Sequence, residues 1–219
     1  MENVLSVYAR PFDEKRPVVC LDEARKELRS TPRGSLPAEP GKPGKRGKPL
    51  REDYEYERHG AASFFLWVEP LGGRRRVHVT ERQTGHEFAE VLRQLVEEDY
   101  PEAEKIVLVT DNLATHKPDC LYNRFPPEQA FAIMQKIDWH YTPEHGSWLN
   151  IAECELSVLQ RQCLDRRVTD RDILCEQVSV WEEKRNASMR TVDWQFTAKD
   201  ARTKLKHLYP VFKEQKITS

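Results

Sequence analysis

The sequence lacks a paired cysteine pattern and contains no long apolar run. The cysteines are odd in number and widely spaced, with neither a Cys-X-X-Cys pair nor a Cys/His pattern of zinc spacing; they are Cys20, Cys120, Cys154, Cys163 and Cys175. This pattern predicts a reducing, cytoplasmic setting without structural zinc. No apolar stretch approaches the ~20 residues that span a bilayer, and the first residues lack the basic segment of a signal peptide. We therefore expect a soluble protein without a membrane partner.

A large net charge of either sign is also absent. The chain has 35 Lys and Arg residues against 36 Asp and Glu residues, a formal net charge of −1 at pH 7. Whole-chain charge therefore gives no signal for nucleic acid, and only local clusters can give one. With 38% hydrophobic residues over 219 positions, the composition predicts one compact α/β domain with a highly charged surface, because single domains of ~200 residues are ordinary.

Two apolar runs each end on an aspartate. Residues 17–22 (Pro-Val-Val-Cys-Leu-Asp) and 106–111 (Ile-Val-Leu-Val-Thr-Asp) are short and rich in β-branched residues, which is typical of parallel strands covered on both faces. Between them, residues 62–68 and 76–80 flank a glycine turn and predict a β-hairpin. The chain therefore carries two candidate central strands and one antiparallel pair.

Helical patterns follow these strands. They place helices at about residues 84–96, 127–137, 147–166 and 170–184, a short strand at 139–141, and a last helix from residue 197. Thr84 and Thr197 each begin a capping box, and Ser147 is the expected N-cap of the third helix. The order of elements favours a mixed central sheet flanked by helices.

Residues 29–51 differ in composition from the rest of the chain. They are rich in Pro, Gly and cations, which cannot pack a core and predict a long mobile loop. The cations are Arg29, Arg33, Lys42, Lys45, Arg46, Lys48 and Arg51. Clustered cations gain affinity for DNA by releasing condensed counterions, so we predict that this loop contacts a phosphate backbone. The alternative is a solvated loop, and for the three arginines at 74–76 the two interpretations are evenly balanced.

The two strand-ending aspartates predict a shared site. The carboxyl ends of neighbouring parallel strands meet at one edge of a sheet, so Asp22 and Asp111 can reach the same crevice. A single aspartate after a strand is more often an ordinary turn residue. Two of them in one chain favour a site.

Four stretches of the chain resemble a known family. They are residues 16–23, residues 54–60, residues 110–113 with His116, and residues 141–153, in which a Pro/Gly turn delivers a helix with acids. Together they resemble the insertion-sequence relatives of mariner-type transposases, in the DDE transposase and integrase superfamily. The resemblance spans roughly residues 1–190 and implies a ribonuclease-H-like α/β fold.

The resemblance also implies an activity and its residues. Asp22, Asp111 and Glu153 would be catalytic and would hold two Mg²⁺ or Mn²⁺ ions, which neutralise the attacking and leaving oxygens of a phosphodiester from about 4 Å apart. Hard cations of this kind need oxygen ligands. The implied activity is cleavage and strand transfer at transposon ends, on double-stranded DNA, by a homodimer. Asn112, His116, His145 and Asn150 lie near the acids in sequence and are either supporting or DNA contacts, or ordinary loop and cap residues.

The third acid is less fixed by the sequence than the first two. The spacing from Asp111 to Glu153 is 153 − 111 = 42 residues, longer than such relatives usually show, so an inserted helix at 127–137 must be accommodated. Glu153 and Glu155 lie two residues apart, about 200° around a helix. Helical geometry leaves both open, and only the resemblance favours Glu153.

The resulting hypothesis divides the chain into three segments. These are a linker at 1–16, a DDE catalytic domain at 17–190 and a helical extension at 191–219. The resemblance implies an N-terminal helix-turn-helix region, which we do not find, so a separate DNA-reading partner or a non-catalytic, regulatory relic of a transposase are expectations to test. A ribonuclease-H-like nuclease without strand transfer is the other alternative. We expect a bacterial, nucleoid-associated protein.

Overall fold

The computed structural model describes residues 1–32, 36–49, 51 and 54–209. The strands in this part are β1 Val18–Ser30, β2 Glu57–Glu69, β3 Arg74–Thr80, β4 Ile106–Thr110 and β5 Ile137–Tyr141. The α-helices are α1 Glu2–Tyr8, α2 Gly85–Gln94, α3 Asp119–Arg124, α4 Pro127–Lys136, α5 Ile151–Leu159, α6 Arg171–Ala187 and α7 Ala198–Lys204. None of these helices is long and apolar enough to cross a membrane.

The strands form one mixed sheet in the order β3-β2-β1-β4-β5. β1, β2 and β3 pair antiparallel, whereas β1, β4 and β5 pair parallel. A parallel neighbour requires a crossover connection, and α3 and α4 provide one between β4 and β5. The predicted mixed α/β sheet flanked by helices is confirmed, and the helix predicted at 127–137 belongs to this crossover.

Each face of the sheet covers its own apolar cluster. On one face, Cys20, Val109 and Leu66 pack with side chains of α1, α5, α6 and α7. On the other face, Leu21 and Leu108 pack with side chains of α2, α3 and α4. Alternate residues of a strand point to opposite faces, so neighbours such as Cys20 and Leu21 serve different clusters.

The helix boundaries follow local capping chemistry. Thr84 and Thr197 both form the predicted capping boxes at the starts of α2 and α7. Asp170 caps α6, and its side chain accepts a hydrogen bond from the Ile173 N–H at 2.9 Å. The prediction for α5 was wrong in detail, because Asn150 is its N-cap and Ser147 begins a separate 3₁₀ turn.

Two predictions for the N-terminal part of the chain were also wrong. β1 does not end at Asp22 but continues to Ser30, because its second half pairs antiparallel with β2 as far as Glu57. Residues 1–16 are not a simple linker, since α1 buries Val4, Leu5 and Val7 in the core.

At the other end, the predicted helical extension at 191–219 is only partly helical. Residues 191–197 have no regular structure, α7 covers seven residues, and residues 210–219 lie outside the described part. The segment folds back on the domain, where Arg202 forms an ion pair with Glu2 of α1.

The segment between β1 and β2 is a paired arm rather than an irregular loop. We use "the arm" for the described residues 36–49 and 51. Leu36 pairs with Arg51, Glu39 with Lys48 and Lys42 with Lys45, all antiparallel. Pro43 and Gly44, the latter at φ 80°, occupy the centre of the turn, as a type II turn requires. A Cβ at Gly47 would lie 2.7 Å from the Glu39 carbonyl oxygen, so the two legs approach too closely for a side chain there.

The cations predicted to contact DNA do not all lie on the arm. Arg29 belongs to β1, where it forms an ion pair with Glu27 and stacks 4.3 Å over the Tyr56 ring. Arg33 lies outside the described residues. The remaining five are exposed along the arm; they are Lys42, Lys45, Arg46, Lys48 and Arg51. Of these, Lys48 forms an ion pair with Glu39 at 3.0 Å.

The arginines at 74–76 have structural partners. Arg75 is 1% exposed, and its Nε lies 3.0 Å from the Glu155 Oε1. Arg76 pairs with Asp99 at 2.6 Å, and Arg74 lies 5.2 Å over the Tyr100 ring. These contacts favour the structural interpretation of the three residues over the DNA-binding one.

Candidate active site

The register of the parallel strands sets Asp22 beside Asp111. Cys20 of β1 pairs with Val109 of β4, and each aspartate lies two residues further along its strand direction. The two are therefore at the same level of the sheet, on neighbouring chain segments that are about 4.8 Å apart where strands are paired. The prediction that both reach one crevice agrees with this placement, although Asp22 lies within β1 rather than at its end.

Asn150 connects the start of α5 to β1. Its side-chain oxygen accepts from the Ala152 N–H at 3.1 Å, and its amide donates to the Leu21 carbonyl at 3.0 Å and to the Asp22 Oδ2 at 3.4 Å. Asn150 is fully buried, so the cap and the strand contact are fixed together. One side chain therefore holds the first turn of α5, which carries Glu153, against Asp22.

Glu155 is committed to a different role. Arg185 donates to both of its carboxylate oxygens, at 2.9 and 3.0 Å, and Arg75 contacts it from β3 at 3.0 Å. Glu155 is 3% exposed. Removing one partner of such a buried ion pair usually costs about 3–5 kcal/mol. Glu155 thus joins α5, α6 and β3, and Glu153 alone of the two remains near Asp22.

His116 joins Asp111 to a fourth acid. Its Nδ1 hydrogen-bonds the Asp111 Oδ1, and its Nε2 lies 2.8 Å from the Glu23 Oε2. The imidazole is 1% exposed and stacks on Phe88 with ring centroids 4.3 Å apart. Burial alone would lower the pKa of His116, but the two carboxylate partners outweigh it and raise the pKa to about 9. A positive imidazolium therefore lies between two acids.

The acids repel one another around Asp22. Burial raises the pKa of Asp22 from 3.8 to about 7, and the charges of Glu23, Asp111 and Glu153 add to the rise. The Glu23 N–H donates to the Asp22 Oδ1 at 2.8 Å and opposes the rise. Asp22, Asp111 and Glu153 therefore share one electrostatic environment.

This donor set fits a divalent cation, although the side chains do not converge fully. In the part of the chain that the structure describes, no three His, Cys, Asp or Glu side chains already form a metal-ligand group. The available ligands are carboxylate oxygens, which Mg²⁺ and Mn²⁺ prefer. A bound cation would also offset the repulsion that raises the pKa of Asp22.

Two of the predicted supporting residues do not contact the acids. Asn112 is exposed, and its side chain accepts from Lys117. The side chain of His145 is 93% exposed, and its Nε2 lies 3.9 Å from the Glu144 Oε1. The sequence alone did not indicate a role for Glu23. The available signal for Glu23 was the alternation of side chains along a strand. This alternation places Glu23 on the face opposite Asp22, and His116 lies on the Glu23 side.

The fold and the acids define a class of protein. It is an α/β domain with two aspartates side by side at neighbouring strands of a mixed sheet and a glutamate on the adjoining helix. The sequence profile described as "DDE superfamily endonuclease" matches residues 17–175. The chain belongs to that family.

A solved structure shares the fold. It is the crystal structure of the Mos1 strand transfer complex, at 15% sequence identity and a TM-score of 0.53. The similarity covers 86% of this chain and 54% of the Mos1 chain, so this chain spans about half of the Mos1 length. The predicted ribonuclease-H-like fold class is confirmed by this likeness. No curated protein matches the chain.

Replacing Asp22 by Asn should stabilise the metal-free protein at high pH. The pKa of Asp22 is higher in the folded state, so folding favours its protonated form. Stability is therefore lost as the pH rises from about 4 to about 7. One pKa unit corresponds to about 1.4 kcal/mol, which limits the gain of the Asn variant at pH 8 to about 4 kcal/mol.

The measurement is urea unfolding with EDTA at about pH 4 and pH 8. Excess Mg²⁺ should stabilise the wild type and leave Asp22→Asn unchanged. Glu183→Gln, which alters an exposed acid on α6, is the control for loss of charge. Equal stability of Asp22→Asn and wild type at pH 8 would show that Asp22 is not under electrostatic strain.

Replacing His116 by Ala should weaken metal binding. Loss of the hydrogen bond frees the Asp111 carboxylate to rotate, and such supporting partners typically contribute 10- to 100-fold in metal affinity, so we expect a loss of about that size. Calorimetric titration with Mn²⁺ measures it, far-UV circular dichroism checks the fold, and His145→Ala is the matched control. Unchanged or tighter Mn²⁺ binding by His116→Ala would mean that His116 does not position Asp111.

Proposed function

We propose that this chain is the catalytic domain of a DNA transposase related to mariner-type elements. It cleaves phosphodiester bonds at transposon ends and joins the freed 3′-hydroxyl to target DNA. The observation that supports this most is the alignment of Asp22 with Asp111 across the β1–β4 register, next to the helix that carries Glu153. Membership of the DDE endonuclease superfamily supports the same assignment.

Asp22, Asp111 and Glu153 are the residues that would hold two Mg²⁺ or Mn²⁺ ions. Bound ions supply charge neutralisation at the attacking and leaving oxygens and a more acidic nucleophile. The protein itself contributes position: Asn150 holds Asp22 and α5 together, and His116 fixes the Asp111 carboxylate. In this proposal the scissile phosphodiester lies over the Asp22–Asp111 edge of the sheet.

Double-stranded DNA is the proposed partner. The cations of the arm are exposed, and the arm contains two closely packed legs with few acids. Such a hairpin can follow a phosphate backbone by counterion release. The Mos1 structure carries the words "strand transfer complex" in its name, which is in keeping with a DNA substrate. We further propose that two copies act together on DNA in the bacterial nucleoid, with a helix-turn-helix region supplying sequence recognition.

The decisive test is cleavage and joining with purified protein. Supercoiled plasmid reports nicking, and a labelled oligonucleotide with a free 3′-hydroxyl reports joining, each with Mn²⁺ or EDTA. Asp22→Asn, Asp111→Asn and Glu153→Gln should each lose more than about 100-fold in rate, because loss of a ligand should exceed the effect of losing its supporting partner. Glu183→Gln should retain wild-type rates.

The possible outcomes separate the rival functions. Nicking and joining together support a transposase. Nicking without joining, also after addition of a helix-turn-helix partner, indicates a nuclease of the same fold. DNA binding with neither activity indicates a regulatory relic. Wild-type activity in Asp111→Asn would locate the site elsewhere.

The arm should contribute to the salt dependence of DNA binding. If three or four of its cations meet phosphates, changing Lys42, Lys45, Arg46 and Lys48 to Ala should reduce the slope of log affinity against log salt by about 3, since each contact contributes ~0.9. Sequence preference should barely change, because phosphate contacts do not read bases. Fluorescence anisotropy across a KCl series measures the slope, and a variant with Arg10, Arg82, Lys199 and Lys206 changed to Ala is the control. An unchanged slope in the arm variant would show that the arm does not bind DNA.

A further inference from the structure

A basic cavity lies on the opposite end of α5 from Glu153. It has a volume of about 430 Å³ and is formed between the π-helical turn after α5, Gln160–Leu164, and the second half of α6. Four of its lining residues are basic: Arg166, Lys184, Arg185 and Arg190. Of the described residues that line it, none is acidic. The whole chain has slightly more acids than bases. The basic lining of the cavity is therefore a local excess of positive charge.

The acidic residue behind the cavity, Glu155, does not neutralise the basic residues that line it. Arg185 hydrogen-bonds Glu155, but Glu155 is shared with the buried Arg75, so two guanidinium groups meet one carboxylate. The side chains of Arg166, Lys184 and Arg190 are exposed, and no ion pair involves them in the described part of the chain. The cavity therefore presents a positive potential to solvent.

The walls of the cavity are preorganised. Trp181 is 6% exposed, and its Nε1 donates to Gln162 Oε1 at 3.0 Å. The guanidinium of Arg185 lies 5.9 Å from the centre of its ring. Gln177 also lines the cavity, and its buried Oε1 has no hydrogen-bond partner. Trp181 and Arg185 are thus held by these contacts, and Arg166 donates from Nε to the Cys163 carbonyl at 3.0 Å.

We propose that this cavity binds the phosphate backbone of the DNA that flanks the cleavage point. Guanidinium groups match phosphate oxygens with two parallel donors, and the cavity is within the size range of ligand sites. The inference rests on the proposed DNA substrate but names a second contact, separate from the acids and from the arm. Its occupant is a phosphodiester backbone rather than a base, because the cations supply charge and no sequence-reading surface.

The position of the cavity fits such a contact. Nine residues of helix separate Glu153 from Gln162, a rise of about 14 Å at 1.5 Å per residue. Duplex DNA advances 3.4 Å per base pair along each strand, so a duplex lying parallel to α5 would place the cavity about four base pairs from the proposed cleavage point. Glu153 and the cavity thus lie at opposite ends of α5.

The test compares two triple variants that remove the same charge. Arg166→Gln, Lys184→Gln and Arg190→Gln alter the cavity but leave Arg185 and Glu155 intact. Arg10→Gln, Arg82→Gln and Lys199→Gln alter exposed cations elsewhere. The probe is a 30-base-pair duplex of arbitrary sequence, with anisotropy measured across a KCl series. The cavity variant should lower the salt slope by about 2–3, since three contacts contribute ~0.9 each, and the control should match the wild type.

The outcomes separate this inference from the proposed function. A wild-type slope in the cavity variant, while plasmid nicking by the wild-type protein persists, would overturn the cavity contact alone. Absence of both DNA binding and nicking in the wild type would overturn both. A thermal shift with pyrophosphate that only the cavity variant loses, together with an unchanged DNA slope, would reassign the cavity to a small phosphate compound.

Discussion

The parallel register of β1 and β4 is the constraint on which the site depends. Backbone hydrogen bonds pair Cys20 with Val109, and a slip by one residue would turn every side chain of one strand to the wrong face. Val19 and Leu21 bury on the face opposite Cys20, so both faces oppose such a slip. The apolar core thereby fixes the level at which Asp22 meets Asp111.

Clustering acids in this way destabilises the metal-free fold, and neighbouring groups limit the cost. Asn150 and the Glu23 N–H donate to Asp22, and the His116 imidazolium lies between Asp111 and Glu23. Glu153 lies in the first turn of α5, where the helix dipole favours negative charge. These contacts stabilise the acids, but they do not restore the usual acidity of Asp22, whose pKa stays at about 7. The remaining imbalance is what a divalent cation can relieve.

Elements with a strong local signal could be predicted, and elements that depend on distant partners could not. The apolar run of β4 and the capping boxes at Thr84 and Thr197 are local, and both were confirmed. β1 beyond Asp22 reads Glu-Ala-Arg-Lys-Glu, which lacks apolar alternation, and it is a strand because β2 pairs with it over a long distance in sequence. The arm likewise depends on backbone pairing, which composition does not report.

The choice between Glu153 and Glu155 shows why part of a site lies beyond sequence analysis. Helical period separates the two side chains but does not say which face meets the sheet edge. The deciding partners are Arg75 and Arg185, which lie far from α5 in sequence and meet only after β3 and α6 pack. Because these arginines would be buried without a counter-charge, Glu155 must face them. Asn150, fixed at Asp22, sets the rotation of the helix from its other end, and Glu153 is left on the side of the aspartates.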